Sequence, residues 1–343
     1  MKIAIVFGAL SYEHEISIVS AIAMKDVLTC EKIYIFCDAN REFYLISTNE
    51  IKSKLFSSGD YKKSPKLTLK NGGFYQKKLT GEKKIDFDIV LNLSHGGDGE
   101  DGKLSSLFEF FDIPFIGPRV DASVISFNKL FTKLYAKSLG IESVDYEVLK
   151  KGAYKISLDY PVIIKPLCLG SSIGVSVVRD ESELEYALDV AYEFDDEVLV
   201  EPFIEEVCEY NLAGTKADEF IFSIVEEPQK ETFLDFDKKY LDFSRTSKVQ
   251  EAEIDSYLEE NLKLSFKKIY GTLFEGALIR CDFFVIDGKV VLNEINPIPG
   301  SMSNYLFEDF NQVIEKLSLS LPKSKNIPID YQYIHSIQKA KGK

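Results

Sequence analysis

The hydrophobic positions fall into short continuous runs and longer spaced patterns. KIAIVF (2–7), IYIFC (33–37) and DFDIVLNL (86–93) are unbroken enough to be strands buried on both faces. Between them the spacing changes to that of amphipathic helices near 15–28 and 102–112, followed by the short strand PFIG. Strands alternating with helices imply a parallel sheet. This first unit is expected over 1–120, with small strands or a hairpin in the Lys/Ser/Gly-rich stretch 40–84. A helix is predicted over 121–139, stopped by Gly140. Strands at 144–149, 161–165, 174–178 and 198–204 and a helix at 181–192 make a second unit, 121–200. Strands at 210–213 and 220–225, a polar loop (229–248), a helix (251–270) and a hairpin (277–296) make a third, 201–343. The fold class is α/β followed by α+β, with no internal repeat or low-complexity segment.

Composition narrows the partners. The 343 residues are 45% hydrophobic and 28% charged, with net charge −14. That field opposes nucleic acid, and KKLTGEKK (77–84) reads as a solvated loop. No apolar run approaches the roughly 20 residues of a membrane helix, and MKIAIVFGAL is too short and too soon acidic for a signal segment. Five cysteines without a C-x-x-C pair fit reduced thiols in a cytoplasm.

Two stretches carry candidate chemistry. VIIKPLCLGSSIGVSVV (162–178) places Lys165 in an apolar strand before a Gly170–Gly174 loop. Glycines let backbone N–H groups turn toward an anion, and serines add donors. A polyphosphate fits this loop; a plain hairpin turn with a satisfied lysine is the alternative. Lys129 and Lys133 share a helix face at i, i+4, which by default is solvated.

LIRCDFFVIDGKVVLNEINPIPG (278–300) is the second stretch. Strand alternation puts Arg280 with Asp282 and Glu294 with Asn296. A two-residue Asp287–Gly288 turn would pair Asp282 with Asn293 and send Glu294 to the other face. An odd loop, such as three residues with a G1 bulge, would bring all four polar groups together, and it is the loop expected here. Asp, Glu and an Asn amide are hard oxygen donors suited to Mg²⁺.

These residues together resemble the D-alanine–D-alanine ligases of the ATP-grasp superfamily. The resemblance covers nearly the whole chain through GALSYEHEIS (8–17), HGGDGEDG (95–102), FNKLFTK (127–133), the Lys165 segment, VLVEPFI (198–204), KKYLDFSR (238–245) and RCDFF…NEINPIPG, in family order. It implies an N-terminal Rossmann-like (pre-ATP-grasp) domain and a two-lobed ATP-grasp fold. It also implies an ATP-dependent reaction through an acyl phosphate that joins two D-alanines for peptidoglycan synthesis. Another ATP-grasp carboxylate–amine ligase with a different second substrate is the alternative.

The resemblance implies roles as well. Glu13 would anchor the first D-alanine, linked through Ser171 to Tyr240. Lys129, Lys165, Gly170, Ser172 and Lys239 would hold phosphates. Glu201, Pro202, Phe203 and Ile204 would line the adenine, and Glu209 or Glu206 the ribose. Arg280 and the Gly300 N–H would face an oxyanion. Asp282, Glu294 and Asn296 would hold Mg²⁺ or Mn²⁺, with two ions expected. His95 is placed beside the first substrate or in a loop-structural role. Ser303 or Tyr305, with Leu306, falls near the second substrate, where relatives offer a serine. Pro202 departs from the family pattern, since proline donates no backbone hydrogen bond. A cytoplasmic homodimer is the expected state.

Overall fold

The computed structural model describes residues 1–228, 249, 251–323 and 325–341. Three sheets organise them. The first contains β1 (Lys2–Gly8), β2 (Glu31–Cys37), β3 (Phe43–Ile46), β4 (Lys66–Lys70), β5 (Gly73–Lys78), β6 (Gly81–Lys84), β7 (Ile89–Asn92) and β8 (Phe115–Ile116), in the order β6-β5-β4-β3-β2-β1-β7-β8. Only β2-β1-β7-β8 are parallel. The 40–84 stretch adds antiparallel strands at one edge, so the sheet is mixed rather than parallel throughout. β1 shows why its run is unbroken: Ile3, Ile5 and Phe7 enter one core and Ala4 and Val6 the other. The first of these cores also takes in Leu278, Ile298, Met302 and side chains of the helix Phe310–Leu319, so that helix packs beneath the N-terminal sheet.

The second sheet is antiparallel, in the order β11-β10-β12-β9, from β9 (Glu147–Lys150), β10 (Val162–Pro166), β11 (Ser176–Val178) and β12 (Glu197–Pro202). The helix Glu181–Tyr192, capped by the Asp180 side chain, covers one face. Val162, Ile164, Val198 and Val200 point into that core. By alternation Lys165 and Glu201 face the opposite way.

The third sheet, in the order β14-β13-β15-β16, contains β13 (Cys208–Lys216), β14 (Phe220–Glu226), β15 (Ile279–Ile286) and β16 (Lys289–Asn296). The helix Ser256–Tyr270 packs on it through Leu262, Phe266, Ile269 and Tyr270. This helix starts five residues later than its sequence pattern suggests, at the Asp255 cap, whose side chain accepts from the Leu258 N–H at 2.7 Å.

The helix expected over 121–139 is two helices, Val120–Phe127 and Lys129–Ser138. Asn128 is extended between them, and its side chain caps the second by accepting from the Phe131 N–H at 3.1 Å. A capping side chain that competes with the backbone turns one helix into two. Lys129 thereby becomes the first residue of the second helix.

Candidate functional site

The lysine in the apolar strand is answered by a buried carboxylate. Ile163 pairs with Glu201 and Lys165 with Leu199, so Lys165 and Glu201 are diagonal neighbours on one face. Glu201 Oε2 lies 2.7 Å from Lys165 Nζ, and Oε1 lies 2.5 Å from Lys133 Nζ. Both the Lys133 and the Glu201 side chains are 3% exposed. The solvated-face expectation for Lys133 is therefore wrong. Its face turns inward with Thr132 and Ala136, and its ammonium also reaches the Val144 carbonyl and the Tyr146 ring.

Burial is the largest influence on all three groups. It opposes charge on Glu201, yet the two ammonium groups outweigh it and hold the carboxyl below its usual range. Glu201 likewise carries Lys165 above the usual lysine value against burial, whereas for Lys133 burial prevails and the value falls. Lys129 does not join this triad. Its ammonium donates to the Leu169 carbonyl, and burial lowers its pKa.

The hairpin of the third sheet holds the opposite charge. Its turn is the two-residue Asp287–Gly288 with φ of 50° and 74°, not the odd loop expected. The extra residue sits further down: Phe283 pairs with Leu292 but Asp282 pairs with Glu294, leaving Asn293 as a bulge. The bulge restores the parity that the turn would have spoiled. Arg280 then pairs with Asn296, and all four polar groups share a face.

Arg280 grips Asp282 with Nε to Oδ1 at 2.6 Å and Nη2 to Oδ2 at 2.8 Å, and Asn296 Nδ2 donates to Asp282 Oδ2 at 3.0 Å. Burial chiefly pushes the Asp282 carboxyl up. Arg280 opposes this, and the facing Glu294 adds to it. A buried and a half-buried carboxylate facing each other beside an amide fit a hard divalent cation, which would relieve their repulsion. Among the described residues no three His, Cys, Asp or Glu side chains converge; the set is two carboxylates and an amide.

One cavity joins the lobes, lined by Lys129, Gly170, Asn293, Glu294, Asn296 and Glu100. Glu294 acts electrostatically on Lys165 and on Lys129 across it. Glu100, which sequence reasoning noted only as part of its motif, is held up at about 8, mainly by burial. The signal lay in the motif itself, where a carboxylate follows His95 by five residues on a glycine-rich turn.

The N-terminal unit reaches this cavity through Glu100, and Glu13 lies against Gly170 in its lining. Glu13 occupies the N-cap position of the helix His14–Val27 but makes no side-chain cap. Its Oε1 instead accepts from Ser171 Oγ at 2.5 Å. Glu13 is 6% exposed, and its Oε2 is buried without a hydrogen-bond partner among the described residues. Burial, then Glu100, raise its pKa. Glycines make room for it: a Cβ on Gly96 would lie 2.3 Å from Oε2 and one on Gly170 3.0 Å from Oε1. Ser171 and Ser172 adopt left-handed φ of 55° and 57°, so the loop curls over this carboxylate.

His95 is 4% exposed. Its Nε2 lies 2.9 Å from Ser20 Oγ, its Nδ1 lies 3.8 Å from Glu100, and burial lowers its pKa. Ser20 Oγ also accepts from the Ser301 N–H at 3.3 Å, which ties His95 to the stretch beginning at Gly300. There Ser301, Met302 and Ser303 run left-handed at φ of 47°, 55° and 48°. Ser303 is fully buried with a hydroxyl that has no partner among the described residues, Leu306 is buried, and Tyr305 acts electrostatically on Arg280. Pro202 pairs with Val162 at the end of β12, and the Phe203 N–H donates to the Pro161 carbonyl at 2.9 Å, with half-buried Ile204 next. Glu209 pairs with Phe284 and acts electrostatically on Lys165, while Glu206 is exposed at a left-handed turn. Lys239 and Tyr240 lie outside the described residues.

A lysine-bearing lobe and a carboxylate-bearing lobe that share one cavity, reached by a third unit, define an ATP-grasp ligase. The family model described as D-ala D-ala ligase N-terminus matches residues 2–118, and that described as D-ala D-ala ligase C-terminus matches 135–314. A D-alanine–D-alanine ligase of a Sulfurovum species is 61% identical over all of both chains. One of a Nitratiruptor species is 63% identical over 99% of this chain and all of its own. The crystal structure of the D-alanine–D-alanine ligase from Helicobacter pylori superposes with a TM-score of 0.85 at 50% identity, covering 95% of this chain and all of that one. The chain belongs to the D-alanine–D-alanine ligase family: it is an ATP-dependent enzyme that joins two D-alanines for cell-wall synthesis.

Proposed function

We propose that ligation runs through an acyl phosphate and that the residues described above divide the work. A carboxylate is a poor electrophile until one of its oxygens becomes a leaving group. The γ-phosphoryl of ATP passes to a carboxylate oxygen of the first D-alanine, and ADP departs. The deprotonated amine of the second D-alanine attacks the acyl carbon, and the tetrahedral adduct expels phosphate. Such transfer needs positioning and charge neutralisation more than covalent help.

Lys165 and Lys129, with Lys239, hold the phosphates, and Gly170 and Ser172 present the loop to them. Glu201 keeps Lys165 charged and aimed, beside an adenine site formed by Pro202, Phe203 and Ile204, with Glu209 at the ribose. Asp282, Glu294 and Asn296 hold Mg²⁺ or Mn²⁺, as two ions. A divalent cation at this site supplies neutralisation of phosphate charge. Arg280 and the Gly300 N–H stabilise the oxyanion. His95 borders the first substrate, and Ser303 or Tyr305, beside Leu306, meets the second substrate's carboxylate. The first of the three domains ends near 120 and the second near 200. The enzyme works as a cytoplasmic homodimer. Among the described residues no helix is long and apolar enough to cross a membrane.

The observation that carries the substrate assignment is Glu13: a buried carboxylate with one oxygen lacking a partner among the described residues calls for a cation, and a substrate ammonium supplies one. Glu13→Gln should raise the KM for D-alanine roughly 10- to 100-fold, the size of one lost charge-assisted bond, and leave the KM for ATP in place. An unchanged D-alanine KM removes Glu13 from this role. Oxygen-18 in the D-alanine carboxylate should appear in the released phosphate; unlabelled phosphate rules out the acyl phosphate. Turnover with D-serine or D-lactate as second substrate, measured beside D-alanine, tests the choice of nucleophile.

A further inference from the structure

The carboxylates of the hairpin continue across the third sheet. Glu226 on β14 pairs with Asn211 on β13, Asn211 pairs with Asp282 on β15, and Asp282 pairs with Glu294 on β16. Direct cross-strand partners share a face and stand about 4.5–5.5 Å apart at Cβ. The four side chains therefore form one polar row that enters the cavity at Glu294. Asn211 is 7% exposed and Glu226 4% exposed. Asn211 Nδ2 donates to Glu226 Oε2 at 3.1 Å. A carboxylate accepts only, so this bond fixes which end of the amide carries nitrogen. The Asn211 Oδ1 is left on the far side, buried and without a hydrogen-bond partner among the described residues. Its neighbours in the row, being carboxylates, are acceptors too and do not satisfy it. Arg280, the nearest cation on β15, spends its fork on Asp282.

We propose that Asn211 is a further oxygen donor to the divalent cation held by Asp282, Glu294 and Asn296, with Glu226 fixing the direction of its amide. The inference rests on the assignment of those three residues to a metal. It accounts for a buried acceptor that no described residue meets, and for a buried carboxylate one strand further from the cavity. Partners that orient a metal ligand typically change affinity by about 10- to 100-fold when lost.

Mn²⁺ is the probe, titrated into the full chain with ADP and followed by electron paramagnetic resonance. Asn211→Leu should weaken Mn²⁺ binding by about tenfold or more. Asn211→Asp, which keeps an oxygen there, should bind at least several-fold more tightly than Asn211→Leu. Glu226→Gln should weaken binding through the loosened amide. Asp282→Asn is the control and should lose most of the binding. If Asp282→Asn loses Mn²⁺ while both Asn211→Leu and Glu226→Gln bind as the wild type does, the inference is overturned and the metal assignment stands. If Asp282→Asn keeps wild-type binding, the metal assignment itself is wrong and the inference falls with it. Circular-dichroism melts verify folding; should Asn211→Leu not fold, Glu226→Gln decides, weaker binding supporting the proposal and unchanged binding refuting it.

Discussion

The two lobes solve the same problem with opposite signs. In the second sheet two lysines, Lys133 and Lys165, share one buried carboxylate, Glu201. In the third sheet two facing carboxylates, Asp282 and Glu294, have one guanidinium, Arg280, on their strand pair. Each group is nearly neutralised, which makes burial tolerable, and each carries one net charge. The surplus is positive on the lysine side and negative on the hairpin side. The lysine side is thus suited to phosphate oxygens and the hairpin side to cations. The minority charge in each lobe aims the majority charges.

Removing a majority charge should have the largest effect. Lys165→Met and Asp282→Ala are each expected to cut kcat by on the order of 10³-fold, as loss of a preorganised charge does; steady-state kinetics at saturating ATP and Mg²⁺ decide it. Removing a minority charge should act on stability first. Glu201→Gln leaves two lysines buried together and should cost about 3–5 kcal/mol in urea unfolding, the usual penalty for breaking a buried pair.

Glu100 samples both sides, being raised by burial and by Glu294 and lowered by Lys129. Its folded value of about 8 lies above its ordinary 4.5, so the fold favours the neutral acid. That stabilisation is complete below the ordinary value and is lost as pH rises through the folded one. The melting temperature of the nucleotide-free protein should therefore carry a downward component between these two pH values, and Glu100→Gln should remove it. The smallest effect is expected at the break between the two helices. Asn128→Ala removes the cap ahead of Lys129 and should cost about 1 kcal/mol, read by thermal or urea unfolding.

The sequence made β1, the Lys165 strand and the polar hairpin legible because alternation alone assigns their faces. It also raised the expectation that Arg280, Asp282, Glu294 and Asn296 share a face, which required an extra residue in the hairpin. It misplaced that residue, since Asp287–Gly288 and Asn293 satisfy the same parity count. Lys133 was missed because a lysine at i, i+4 looks solvated until the carboxylate that meets it, 68 positions away at Glu201, is known. The split at Asn128 was missed because an asparagine within a helical pattern has no periodic signature. The row from Glu226 to Glu294 joins four strands, and only the register reveals it.

The bulge at Asn293 has a consequence for how this hairpin tolerates change. Losing that one residue would rotate Glu294 and Asn296 to the sheet's other side, into the apolar packing of Leu262 and Phe266, while leaving composition and turn intact. Insertions or deletions between the turn and Glu294 are therefore acceptable only two at a time. A chain that drifted by a single codon there would keep its turn and lose the common face of its four polar groups.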